Sequence, residues 1–470
     1  MDLMTRRLRI RRWLLEDGLR RRLMPALSRA SEAGYWAMRP WSPGTGLRLL
    51  LAAHRYGPSE RLTRRVGVEL PSIQRHVDVL IDGDRGADQL KHAARRSMVL
   101  KWPRRGADGI EKGVLLITFT TSFTYFHFHL DLELLQRWFT VVLEPSWAGY
   151  CIGEILFWAG PDRPPVVVQS TEKTDFEFLA QLRTNLVPVD FGASNWVDHE
   201  VFRKLDGCEK IYDAVYVANY KPIKRHHVLF RAIAELRDPG YRLALVCTPW
   251  GGTKQTVYDL MDHYGVRQNV VVFEGLPAQK VNEVLNASKV SVLLSLKEGS
   301  NRSLFEAFFA DVPGILLKDN VGVNKSYLNA QTGRIIEEHE LAATLTFFRE
   351  HWSEYQPREW ALANISAPVT TRALEDVLGR LARERGEPWT RGLHVKVNRP
   401  EVEYLEGRPP DLLMPLEELL PLFAKPVRHG SAEIEQRLAL QPAALQPAGP
   451  AAGMASSSPS TVRRANEPMR

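Results

Sequence analysis

Lys297-Glu298-Gly299-Ser300-Asn301-Arg302-Ser303-Leu304-Phe305-Glu306-Ala307 follows directly on the apolar run Val290-Ser291-Val292-Leu293-Leu294. The run reads as a buried strand. Gly299, Ser300 and Asn301 are turn and cap formers ahead of a helix-like stretch from Arg302 to Ala310. This order puts Glu298 in the loop at the carboxyl end of a strand and Glu306 about one turn into the next helix. Backbone N–H groups at the start of such a helix point into the crevice outside the sheet, where a phosphate or sugar hydroxyl can sit. An ionised glutamate accepts two hydrogen bonds in parallel, which suits a sugar diol. On spacing alone an ordinary strand-to-helix loop with a capping carboxylate fits as well, so the surrounding chain has to decide.

Around this segment short apolar runs alternate with helical stretches. One series comprises 114–119, 140–143, 166–168 and 186–189; a second comprises 214–217, 243–246, 270–273, 290–294 and 314–317. Strand, helix, strand repetition is the signature of a doubly wound parallel sheet, so the fold expected is α/β with two Rossmann-like domains. The expected division is 111–207 and 208–345, with a turn at Asp206-Gly207 near the junction. Residues 1–110 read as a basic, amphipathic, mainly helical N-terminal extension. Residues 346–440 read as a C-terminal helical region, in which Leu374, Val377, Leu378 and Leu381 line one face of a helix over 370–385 that could cross back to the first domain. The tail 441–470, mostly Gln, Ala, Pro, Gly and Ser, cannot bury a core and is expected to be disordered.

Composition removes several classes of function. With 470 residues, 44% hydrophobic and 25% charged, the chain is of ordinary globular type. Its longest apolar stretch, 113–130, is broken by Thr, Ser and two His, which argues against a membrane-spanning helix. Cys151, Cys208 and Cys247 form no C-x-x-C pair, so neither a disulfide framework nor a thiolate metal site is supported and a cytoplasmic setting fits. The formal charge of +7 is concentrated in residues 1–30, where nine Arg oppose Asp2, Glu16 and Asp17 for a balance of +6. The nearly neutral remainder speaks against a nucleic-acid partner. Within 8–27 apolar residues interleave with Arg at helical spacing, which suits either an anionic membrane surface on the inner face or a solvated helix packed on the body. Asp82-Gly83-Asp84 has the form of a metal-binding D-x-D and also of a common turn, the preferred reading. Residues 62–77 have helix-turn-helix spacing, which plain αα-hairpins share.

Residues 214–335 resemble the donor-binding domain of the group 1 (family 4) retaining glycosyltransferases, which have the two-domain GT-B architecture. The resemblance rests on the strand and basic loop Val217-Ala218-Asn219-Tyr220-Lys221-Pro222-Ile223-Lys224, then Phe273-Glu274-Gly275, Glu298 to Glu306, Val312-Pro313 and Thr332-Gly333. Residues 114–205 share only the strand and helix rhythm of the family's acceptor domain. The resemblance implies transfer of a sugar, with retention, from a nucleotide-diphosphate-sugar donor to a carbohydrate or lipid-linked acceptor in surface or extracellular polysaccharide assembly, with no cofactor and no metal. It gives Lys224 the donor pyrophosphate, with Arg225 beside it, Glu298 the donor sugar and Glu306 the ribose. Gly299, Ser300, Asn301, Arg302 and Ser303 would form the donor loop. On the acceptor side it points to Glu144 with Trp147, and to His127 and His129, although these two histidines also fit simple aromatic packing. Three departures stand out: Asn219 replaces the family's Arg, Ser300-Asn301 replace its Phe-Gly, and Thr120-Thr121-Ser122 replace its first-domain Gly-rich loop. A nucleotide-sugar epimerase is a rival of the same fold, and Asn219 and the missing Gly-rich loop keep alive a catalytically silent binder of nucleotide-sugar or polymer that regulates a partner.

Overall fold

A computed structural model describes residues 6–7, 19–81, 89–106, 109–399, 402–426 and 428–438. Asp82-Gly83-Asp84, most of the basic stretch 8–27 and the tail 441–470 lie outside the described residues.

The first sheet contains β1 (Ser97–Lys101), β4 (Gly113–Thr118), β5 (Phe139–Glu144), β6 (Val166–Gln169) and β7 (Leu186–Val189), in the order β1-β4-β5-β6-β7; β2 (Arg104–Gly106) and β3 (Gly109–Glu111) form a separate hairpin. Only β1 runs antiparallel. β4 and β6 are buried along their whole length, as strands covered on both faces must be. Alternation splits their side chains between two cores: Leu115, Ile117, Val141, Leu143, Val166 and Val168 face one, and Val114, Leu116, Val142 and Val167 the other.

The first of these cores corrects the view of residues 1–110 as an extension. Helices Pro43–Tyr56 and Glu60–Arg75 contribute Leu47, Leu50, Leu51, Leu62, Val66 and Ile73 to it, and β1 is its edge strand. The apolar spacing that suggested a helix-turn-helix belongs to the buried face of Glu60–Arg75, which is one continuous helix through Gly67 and Pro71.

The second sheet contains β8 (Ala214–Asn219), β9 (Leu243–Thr248), β10 (Val270–Glu274), β11 (Ser291–Leu293), β12 (Gly314–Leu317) and β13 (Gly333–Ile336), all parallel, in the order β10-β9-β8-β11-β12-β13. Counted within the domain this is 3-2-1-4-5-6, the doubly wound order whose direction of growth reverses between β8 and β11. The two strands share one register pair, Ser291 with Val215, and their loops then diverge. That divergence opens the crevice where such sheets hold ligands.

The chain returns to the first domain near its end. Helix Pro357–Asn364 packs on helix Ser303–Phe309 of the second domain, whereas helix Ala367–Glu384 buries Leu374 and Leu378 against the first sheet. A hairpin, β14 (Lys396–Asn398) and β15 (Val402–Tyr404), follows, and Leu419, Leu420, Phe423, Ile434 and Leu438 complete the first core.

Candidate active site

At the switch point the loop after β8 closes on itself. Asn219 Oδ1 accepts the Lys221 N–H at 3.0 Å, the Lys224 N–H reaches the Lys221 carbonyl at 3.0 Å, and the Tyr216 hydroxyl donates to the Lys224 carbonyl. The loop so fixed presents Lys224 to the loop after β11, where Nζ stands 2.5 Å from Glu298 Oε1. Both side chains are nearly buried, at 13% and 10% exposure, so each is the other's counter-ion across the crevice. Glu298 is anchored by its own N–H on the Val321 carbonyl at 2.7 Å. The loop after β9 folds over the same place: a Cβ on Gly252 would lie 2.5 Å from the Tyr220 carbonyl, and the Lys221 ammonium sits 3.6 Å from the centre of the exposed Trp250 ring.

Downstream the predicted loop and helix are present, and their side chains are already engaged. Asn301 Oδ1 accepts the Leu304 N–H and the Ser303 hydroxyl, both at 3.0 Å, and so satisfies a backbone donor in the first turn of helix Ser303–Phe309. Arg302 extends to the return hairpin, donating to the Asn398 carbonyl at 2.7 Å and the Arg399 carbonyl at 3.3 Å. Its Nε lies 3.6 Å from Glu306 Oε1. Burial pushes the Glu306 carboxyl above the usual carboxylate range, and the Arg302 charge opposes the shift. A carboxylate so placed gains when a ligand hydroxyl donates to it.

First-domain loops cover Gly299 and Ser300. A Cβ on Gly299 would fall 1.5 Å from the Ser146 carbonyl oxygen. The Thr171 hydroxyl lies 3.1 Å from the Gly299 carbonyl and 2.8 Å from that of Gly322. Ser194 meets Ser300 through its N–H at 2.8 Å and its hydroxyl at 2.5 Å, and Glu172 Oε2 accepts the Gly322 N–H at 2.7 Å. The donor contacts expected of Gly299 and Ser300 are thus interdomain contacts in this closed arrangement. Arg225 requires a correction. Its guanidinium is buried, 3.3 Å from both oxygens of Asp319 and bonded to Glu338, and so it braces the loop instead of facing the crevice. The sequence held no hint of this, since Asp319 and Glu338 lie about a hundred residues away.

On the acceptor side Glu144 ends β5 at the crevice, buried and paired with the fully buried Lys396 of the return hairpin at 2.5 Å. Burial lowers the Lys396 pKa, and the Glu144 charge works against that. Trp147 is exposed beside Thr120 and Lys297 in a cavity of about 500 Å3. His127 and His129 sit elsewhere, in the last turn of helix Thr120–His129, which starts at the crevice and runs away from it. His127 Nε2 lies 2.9 Å from Asp78, and the His129 ring packs on Tyr125, which is the aromatic-packing outcome. Where the family has its Gly-rich loop, Phe119 itself adopts φ 64°, a conformation that costs a bulky residue about 1–3 kcal/mol. Asp175 escaped the sequence reading altogether. Its carboxylate accepts the N–H groups of Gly149 and Tyr150 at 2.7 and 2.8 Å, and burial raises its pKa to about 6.

The switch point, its Lys224–Glu298 pair and the helix carrying Glu306 all fall within one segment that matches a known family. Residues 199–356 match the glycosyl transferases group 1. Among solved structures, the chain is similar to a TarM variant from S. aureus in complex with fondaparinux, alpha-GlcNAc-glycerol and UDP, at 17% identity over 52% of this chain and 51% of that one, with a TM-score of 0.42. It is similar to HepE from Anabaena in complex with UDP-glucose, at 13% identity over 56% and 78% of the two chains, with a TM-score of 0.45. Sucrose-phosphate synthase from Thermosynechococcus elongatus shares 16% identity over 58% and 73%, with a TM-score of 0.44. The chain spans about half the length of the TarM structure it matches. No curated protein matches it.

Proposed function

We propose that this chain is a retaining glycosyltransferase that moves a sugar from a nucleotide-diphosphate sugar to a carbohydrate or lipid-linked acceptor. The observation that carries the reading is the Lys224–Glu298 pair at the switch point of a 3-2-1-4-5-6 parallel sheet. An incoming pyrophosphate competes with Glu298 for the Lys224 ammonium. Lys224 then meets negative charge that grows as the glycosidic bond breaks, a task a fixed cation performs without a metal. Glu298, released, accepts a hydroxyl of the donor sugar, and Glu306 takes the ribose diol. Retention follows if the acceptor attacks on the face that the leaving group vacates, with a β-phosphate oxygen taking the acceptor proton. The contacts of Gly299 and Ser300 with Ser146, Thr171 and Ser194 require the domains to part for donor entry. Residues 1–30 would hold the protein to an anionic inner membrane face, consistent with the exposed Leu23 and Leu27 on helix Leu19–Met38. Among the described residues no helix is long and apolar enough to cross a membrane. Assembly of a surface or extracellular polysaccharide is the setting this reading favours.

The mutual neutralisation of Lys224 and Glu298, with Asn219 turned back on its own loop, favours one second reading, a silent binder of nucleotide-sugar. Two measurements decide. Thermal stabilisation by a panel of nucleoside diphosphates tests binding, since a ligand at about 100 times its Kd adds about 2.7 kcal/mol. Donor consumption then separates the classes: a transferase consumes donor only with acceptor, an epimerase converts it without one, and a silent binder leaves it intact. Absence of nucleotide binding would end both the transferase reading and the silent-binder reading.

A further inference from the structure

On the first-domain side of the crevice, a pocket of about 220 Å3 opens between the ends of β4 and β5, the donor loop and the return hairpin. Of the four charged side chains in its wall, three are accounted for or nearly so. Glu144 is neutralised by Lys396 at 2.5 Å. Arg399 pairs with Asp198 at 2.7 Å and Glu403 at 2.9 Å. Arg302 donates to two carbonyls and stands 3.6 Å from Glu306, with its Nε–H lacking a hydrogen-bond partner. Arg96 is different. Its guanidinium lies 4.1 Å from the centre of the exposed Phe119 ring, and no carboxylate among the described residues pairs with it. The ring it covers belongs to the residue held at φ 64°, so backbone strain at the end of β4 fixes the platform on which the cation rests.

A guanidinium held over an aromatic face beside the crevice, with a net positive wall around it, is a receptor for a planar or tetrahedral anion. The pocket is also lined by Ser300 and Arg302 of the donor loop, so its occupant lies next to the donor site. We propose that the acceptor carries an anionic group, a phosphate or a carboxylate, that binds here against Arg96 with Arg302 as second donor. The proposal rests on the transferase reading and names the class of acceptor it takes. A volume of about 220 Å3 admits the anion and little more than one sugar ring, so the charge lies on or beside the accepting residue.

Calorimetric titration of the full chain, with the nucleoside diphosphate of the panel that stabilises it most, compares three probes: glucose 6-phosphate, glucuronate and glucose. The two anions should bind about tenfold more tightly than glucose, the scale of a charge-assisted hydrogen bond. Arg96→Gln should bring them to the level of glucose, Arg96→Lys should keep most of the preference, and Arg64→Gln, on an exposed helix face, should change nothing. Preference for glucose 6-phosphate alone identifies a phosphate acceptor, and for glucuronate alone a carboxylate. Equal binding of all three probes, or an anion preference that survives Arg96→Gln, overturns the proposal. Nucleoside diphosphate affinity, read in the same titrations, reports on the donor site separately: absence of binding across the whole panel would defeat the transferase reading, whereas its presence with no anion preference would defeat only this one.

Discussion

Gly299→Ala tests whether closure of the two domains is set by backbone contact. At Gly299 the added methyl carbon would stand 1.5 Å from the Ser146 carbonyl oxygen. Since a carbon and a carbonyl oxygen approach to about 3.3 Å at closest, the two domains must separate locally by about 1.8 Å. Both sides of that contact are backbone, so no rotamer change relieves it. The shift carries the Thr171 hydroxyl away from Gly299, now 3.1 Å, and Ser194 away from Ser300, now 2.8 Å through its N–H. Losing two such bonds shifts the balance towards the open form by about 1–3 kcal/mol. Nitroxide labels at the exposed positions Glu177 and Lys280, one in each domain, measure the result by dipolar spectroscopy. The variant should show a longer, broader distance distribution, nucleotide affinity equal to or above wild type, and slower transfer, because the acceptor-side residues no longer meet the donor loop. An unchanged distance distribution with unchanged turnover would refute the closure argument, since the methyl would then have been accommodated inside one domain.

The remaining predictions concern charges. Lys224→Ala should act mainly on turnover, because the charge it meets grows in the transition state, while Glu298→Gln, which removes the carboxylate that competes for Lys224, should raise affinity for free nucleoside diphosphate and slow transfer. Calorimetry beside turnover of both variants checks this, and wild-type values throughout would remove the site. Lys396→Met strands the Glu144 carboxylate in the interior and should cost about 3–5 kcal/mol in denaturant unfolding, most of it recovered by adding Glu144→Gln. For Asp175 the folded pKa of about 6 exceeds the unfolded value near 4, so its contribution to stability is fully present below about pH 4 and is lost as pH rises through about 6, a change of about 2–3 kcal/mol. Unfolding of Asp175→Asn across pH 4–7 should show that slope removed. Vesicle co-sedimentation should show preference for anionic over neutral bilayers, lost on deletion of residues 1–22, which removes eight of the nine Arg; equal binding to both, or to neither, would dismiss a membrane role.

The sequence by itself determined the nine strand runs of 114–317, because mostly apolar segments of three to six residues, rich in β-branched side chains and set between turn formers, suit a strand of a largely covered sheet and are too short for a helix. It also placed Lys224 and Glu298 in the loops after their strands and Glu306 in the helix that follows, since a position relative to the end of a strand is a local property. Tertiary structure decided which of those charges are free to act. Arg225 lies next to Lys224 in the chain, yet the half-buried carboxylates of Asp319 and Glu338 claim it, and Glu144 is claimed by Lys396 from 252 positions away. Helix length alone carried His127 and His129 away from the crevice that their neighbour Thr120 borders. The helices of 43–75 entered the first core because their apolar faces complete it, which no local pattern distinguishes from an independent amphipathic helix. Counter-ions and domain contacts are chosen by distance in space, and at a separation of a hundred residues or more the order of amino acids holds no record of them.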